Sequence, residues 1–172
     1  QGDERYAARA VRESSHGMLL QGSASDFWPL VESIGGRGGW YGTDTLWRIR
    51  GALDWLAGGY AMQQGRRDQT HLQEGDSLGY WRVLDIKPPY NLLLLSEMKL
   101  PGEAILEFQI RDMPGGRVEL TLSVRFLPRG LSGLLYWRFF RLAHQMVIRT
   151  MLRNMARNSN LAVLEGPRAR GT

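Results

Sequence analysis

Few side chains in this chain are of a type and spacing that could do chemistry. Arg50 and Asp54 stand four residues apart, with Trp47 one turn before the arginine. On a helix this spacing lets the guanidinium bond the carboxylate and lie against the indole. Such a pair can orient an anionic or polar ligand at a cavity mouth, or, more simply, tie its helix to the glycine-rich loop before it. Trp40 and Tyr41 follow the glycines of GGRGG and can serve as an aromatic lid over a ligand or as a plug for the open end of a sheet. Glu97 and Lys99 share one face of a strand. With Glu107 or Gln109 on a neighbour they make a polar cluster inside a cup or, as most strand charges do, face water. His144 is the remaining acid or base candidate, the simpler reading being a core histidine with one satisfied nitrogen. The ligand-binding candidates are therefore Trp40, Tyr41, Trp47, Arg50, Asp54, Glu97 and His144.

Other chemistries have little support. His16, His71 and His144 are scattered without metal-ligand spacing, and the absence of cysteine removes thiolate sites and disulfides, so no metal or cofactor is expected. No serine or threonine sits in a nucleophile elbow. The net charge of +5 invites a nucleic-acid reading, but the 20 arginines and 2 lysines are dispersed, with Arg66-Arg67 the only adjacent pair. A solvated arginine-rich surface explains them more simply, and no nucleic-acid partner is expected. No apolar run is long enough for a membrane span and no signal peptide is visible, which leads us to expect a cytoplasmic protein. The polar start QGDERYAARA, without an initiator methionine, fits a tag remnant or a piece of a longer chain.

These residues need elements to hold them. Val11 to Leu20 carries a weak strand signal around His16 to Leu20 and can supply a first, edge strand. Ser25 or Asp26 can cap a short helix through Phe27, Trp28, Leu30, Val31 and Ile34, ending at Gly35. A second helix carries Leu46, Ile49, Leu53 and Leu56 at helical spacing, capped by Thr43 or Asp44 and stopped by Gly58-Gly59. Another strand is expected near Arg67 to Leu72. Gly79 to Lys87, Tyr90 to Leu100, Glu103 to Arg111 and Arg117 to Phe126 are apolar-rich and separated by proline and glycine turns, as in an antiparallel meander. The last of them alternates strictly, with Val118, Leu120, Leu122, Val124 and Phe126 on one face.

A helix from Ser132 to Arg157 or Asn158 can cover that face. Its apolar stripe is read as Leu135, Phe139, Leu142 and Met146 together with Trp137, Phe140, Val147, Ile148, Met151 and Met155. Arg141, Gln145, Arg149, Arg153 and Arg157 recur every four residues as a basic outer face. That face, with Trp137, Phe139 and Phe140 nearby, can touch an anionic membrane or simply be solvated. Gly166 to Thr172 reads as a frayed tail.

The order of elements predicts an α+β, helix-grip fold: a curved antiparallel sheet wrapped around a long C-terminal helix, with two short helices between the first and second strands. The domain division is 1-10 as a polar extension, 11-158 as one domain and 159-172 as a tail. The sequence resembles a domain-of-unknown-function branch of the START-related, polyketide-cyclase-like superfamily. The resemblance rests on GGRGGWY (35–41), LWRIRGALDWLAGG (46–59), GDSLGYWRV (75–83), EMKLPGEAILEF (97–108) and FLPRGLSGLLYW (126–137). It covers roughly residues 11 to 157. The family often follows an NAD(P)-binding, nitrogen-regulator-like atypical short-chain dehydrogenase domain, which the resemblance makes a partner to expect. No dinucleotide fingerprint precedes the domain here, and GGRGG lies between two expected helices rather than after a strand, so it is not read as a phosphate loop. At Leu142-Ala143-His144 the chain departs from the family, which more often has a proline and an aromatic before the histidine.

What the resemblance implies is a binding module for a small hydrophobic or amphipathic ligand, accessory to an NAD(P)-dependent oxidoreductase. The alternatives are a cyclase- or hydratase-like enzyme with acid/base chemistry by Asp54, Glu97 or His144, and a ligand-free structural or oligomerising domain. A homodimer stays open.

Overall fold

The alternation through Arg117 to Phe126 fixes which side chains meet the core, and the strand that carries it lies inside the sheet. The computed structural model describes residues 12–36, 39–42, 63–65, 68 and 71–170. In chain order these form strand β1 (Arg12–Gln21), helix α1 (Ala24–Glu32), β2 (Gln63–Gly65), β3 (Ser77–Gly79), β4 (Trp81–Lys87), β5 (Asn91–Ser96), β6 (Gly102–Met113), β7 (Arg117–Pro128), helix α2 (Gly130–Asn158) and β8 (Val163–Arg170). The strands make one sheet in the order β2-β3-β4-β5-β6-β7-β1-β8, with every neighbouring pair antiparallel. The architecture is α+β, an antiparallel sheet with a long C-terminal helix across it. The expected helix over Leu46 to Leu56 lies outside the described residues. The strand expected near Arg67 to Leu72 is not formed at its described residues, since Asp68, His71 and Leu72 belong to no strand and the short β2 lies earlier, at Gln63–Gly65.

Three further expectations need correction. β1 is not an edge strand: it pairs with β7 over its whole length and with β8 on its other side. The supposed frayed tail supplies that second partner, because residues up to Arg170 form β8. Its side chains are almost all exposed, so no hydrophobic pattern advertises the strand, and Pro167 within it is tolerated at an edge. Helix α1 is capped by Ser23 rather than Ser25 or Asp26. The Ser23 hydroxyl accepts from the Asp26 amide, and the Asp26 carboxylate accepts from the Ser23 amide at 2.9 Å.

The register of β1, β6 and β7 puts Met18 and Leu20, then Leu106, Phe108 and Ile110, then Leu120 and Leu122, on one face, each at most 2% exposed. Phe27, Trp28 and Val31 of α1 join this core, as do Ile148, Met151, Leu152 and Met155 of α2. Each such side chain contributes roughly 1.5–3 kcal/mol by leaving water.

Two local features set how α2 lies. At its start, a β-carbon on Gly133 would come within 2.3 Å of the Pro101 carbonyl oxygen and 2.9 Å of Pro128, so only glycine lets the helix approach the sheet this closely. At its end, Asn160 takes a left-handed φ of 56° and turns the chain back into β8. Between them the apolar residues of α2 divide between two faces rather than forming one stripe. Trp137, Ile148, Met151 and Met155 are buried, whereas Leu135, Phe139, Leu142 and Met146 are exposed. The arginines of the expected basic face are exposed too.

A candidate ligand cavity between the sheet and the long helix

α2 approaches the sheet closely at Gly133 and packs on it again near its C-terminal end, and between these contacts lies a cavity of about 200 Å³ bordered by helix residues from Tyr136 to Met151. The sheet supplies Trp81, Ala104, Leu106, Val124 and Phe126, and the connection from β5 to β6 adds Met98 and Leu100. Across from them α2 presents Tyr136, Trp137, Phe140, His144 and Val147 at helical spacing. Among the described residues, the lining beyond Ser96, Tyr136, His144 and the indole nitrogens of Trp81 and Trp137 is apolar.

One wall of the cavity is an aromatic cluster. The rings of Phe126 and Trp137 stack with centroids 5.8 Å apart and planes 5° from parallel. Tyr136 lies 5.3 Å from Phe126 and 4.8 Å from Phe140 in tilted geometry. His144 continues the cluster, its ring 5.4 Å from Trp137 and 6.2 Å from Tyr136. Aromatic contacts of this kind add to the stabilisation from area burial.

The candidate residues fall in different places. His144 lines the cavity. Trp40 is buried one layer behind it, its ring 6.3 Å from that of Trp81. Tyr41 is pinned rather than mobile: its hydroxyl donates to the Leu30 carbonyl at 2.7 Å and shares a 2.7 Å hydrogen bond with the Ser33 hydroxyl, and its carbonyl accepts from the Asn154 amide at 2.7 Å. Burial pushes the Tyr41 phenol above its ordinary pKa, with the Ser33 bond pulling the other way. Trp40 and Tyr41 therefore join α1, the sheet and α2 as core packing, and neither lines the cavity. Trp47, Arg50 and Asp54 lie outside the described residues.

Glu97 is also off the cavity. Ser96 and Met98 point into it, and Glu97 between them forms an ion pair with Arg82. The expected partners of Glu97 do form a polar cluster, but on the other face of the sheet. Glu107 alternates with the core residues Leu106 and Phe108, accepts from Arg125 at 2.5 Å and from the Gln109 amide at 2.9 Å, and is 7% exposed. Ser96, Met98 and Leu100 were missed as lining residues; their alternation with Glu97 and Lys99 was the available signal.

A second polar site was also missed. His16 sits on the inner face of β1, opposite Leu122, and is 1% exposed. Its Nε2 accepts from Arg149 Nε at 3.0 Å. Burial, and then the Arg149 charge, hold its pKa below the usual value. It stands apart from the cavity lining. Among the described residues no group of three His, Asp or Glu side chains could hold a metal ion.

Comparison with known sequences gives the family. The pattern described as "Protein of unknown function (DUF2867)" matches residues 8–151. The chain belongs to the DUF2867 family. The matched span runs from before β1 to Met151 of α2, so the DUF2867 pattern takes in the sheet up to β7 and the cavity-lining part of the helix. No curated protein matches the chain. Among solved structures, the protein of unknown function SA2116 from Staphylococcus aureus is similar with a TM-score of 0.54 at 12% identity, over 89% of this chain and 96% of that one. The di-domain ARO/CYC BexL from the BE-7585A biosynthetic pathway is similar with a TM-score of 0.51 at 12% identity, over 87% of this chain and 48% of that one. At such identity the likeness is one of fold.

Proposed function

We propose that this DUF2867 chain is a binding module of the helix-grip type, holding a small hydrophobic or amphipathic ligand between the sheet and the middle of α2. The observation that carries this reading is the cavity itself: about 200 Å³ of apolar, aromatic-lined space between the sheet and the helix. An apolar cavity of about 150 Å³ is enough to hold benzene. A one- or two-ring aromatic compound, its ring against Phe126 and Trp137 and a single polar substituent toward Ser96 or His144, fits the lining. The fold likeness to an ARO/CYC protein supports the helix-grip reading. In this reading the module is accessory to an NAD(P)-dependent oxidoreductase, an inference from the family resemblance.

The position of His144 supports a second reading, acid/base catalysis on the bound compound. The largely apolar lining among the described residues favours the binding reading.

The test is titration of the full chain with naphthol-sized aromatics, together with mass spectrometry of solvent extracts of the purified protein. Ala104 is buried at the cavity wall, so Ala104→Leu should fill the space and abolish saturable binding. Absence of any extractable or bindable hydrophobic compound would remove the proposal. His144→Phe should retain binding; turnover of a bound compound that disappears with this substitution would establish the catalytic reading instead.

A further inference from the structure

The outer face of α2 carries an apolar stripe that nothing in the described structure covers. Leu131, Leu135, Phe139 and Leu142 are 72%, 48%, 78% and 71% exposed, and Met146, 55% exposed, ends the row where it also borders the cavity. Their spacing of four, four, three and four residues places them on one side of the helix, within an arc of about 80°. Single exposed apolar residues are ordinary, but a contiguous row of large ones marks an interaction surface.

The charges around the stripe identify what it meets. Arg138 and Arg141 border one edge of it, and Arg149, Arg153 and Arg157 continue the same side toward the helix end; all five are exposed. The 29 residues of α2 contain no aspartate or glutamate. Apart from the bond from Arg149 to His16, these arginines make no ion pair or side-chain hydrogen bond among the described residues.

We propose that this face of α2 docks on an anionic lipid bilayer, with the stripe entering the headgroup–acyl boundary and the arginines resting on lipid phosphates. A helix with one apolar face and a cationic polar margin lies in the plane of such an interface. No helix among the described residues is long and apolar enough to cross a membrane. A second copy of the chain fits less well: pairing two α2 helices about a two-fold axis sets five arginines against five with no carboxylate on either side. Nucleic acid would answer the arginines but leave the central apolar row in water. Met146 alone is shared with the cavity lining; the proposal does not depend on what the cavity holds.

The test is sedimentation of the full chain with phosphatidylcholine vesicles and with vesicles containing 30% phosphatidylglycerol. Binding is expected to the anionic vesicles, to fall with added salt, and to be much weaker to phosphatidylcholine alone. Removing two arginine charges in R138Q/R141Q should weaken it roughly thirtyfold, at about a factor of five for each arginine. F139D/L142D should abolish it without changing the melting temperature, since both side chains are already in water. The chain has no cysteine, so Leu142→Cys can carry an environment-sensitive dye, whose emission should shift to the blue on anionic vesicles. The proposal is overturned by absence of binding to both vesicles, by binding that neither double substitution alters, or by a sedimenting dimer that F139D/L142D dissolves, which would assign the stripe to a second copy.

Discussion

His16 occupies a β1 position where Met18 and Leu20, two and four residues on, are core residues, and it is as buried as they are. Arg149 Nε can only donate, so the histidine Nε2 must accept, which is the neutral ring's role. Burial and the Arg149 charge both oppose protonation and hold the folded-state pKa below the ordinary value near 6.5. The unfolded chain takes up a proton at about 6.5 while the folded chain resists it. The stability contributed by a neutral His16 is therefore complete above about pH 6.5 and is lost as the pH falls from there toward the folded-state value. A melting temperature that declines between pH 7.5 and 5.5 in the parent, and declines less in His16→Gln, is the expected result; parallel declines would show that other groups set the slope. Histidine was visible in the sequence, but its role was not, because a weak strand signal around His16 to Leu20 does not say which face the core will take.

At the scale of elements, the approach of α2 to the sheet depends on the absence of a side chain at Gly133. Gly133→Ala would push a methyl group into the Pro101 carbonyl and the Pro128 ring, backbone-bound atoms that cannot rotate away. A loss of roughly 1–3 kcal/mol is expected from such overpacking, read as a melting temperature lower by about 5 °C. An unchanged melting temperature would mean that the helix start can slide without cost. The helix, the antiparallel strands and the first short helix were all legible, because periodicity and proline or glycine punctuation are local. The cap of α1 was misplaced by two or three residues. The larger error lay in α2, where ten apolar residues were read as one covering stripe. Helical spacing alone cannot show that the helix has two apolar sides when only one meets the sheet.

At the scale of the molecule, β8 closes the sheet beside β1 although nearly all its side chains face water. Its contribution is backbone pairing, with the Arg170–Glu119 ion pair reaching across to β7. Ending the chain at Ala162 should lower the melting temperature by only a few degrees, at about 2–4 °C per kcal/mol, but leave β1 as an open edge. Concentration-dependent light scattering is then expected, since an unpaired edge templates pairing with other chains. A truncated chain that stays monodisperse would show that β8 protects nothing. By itself the sequence determined the α+β class, the antiparallel meander and the long terminal helix, because apolar alternation, helical spacing and turn residues act over a few neighbours. It also carried the family, in motifs whose order can be read without a structure. Only the tertiary structure decided that Ser96, Met98 and Leu100 face the cavity while Glu97 pairs with Arg82. It alone placed Trp40 and Tyr41 in the core and left half of the apolar residues of α2 in water. These outcomes depend on strand phase and on the distance between packed elements, and a shift of one residue in a strand, or a few ångströms in a helix, leaves the local pattern unchanged while reversing what each side chain meets.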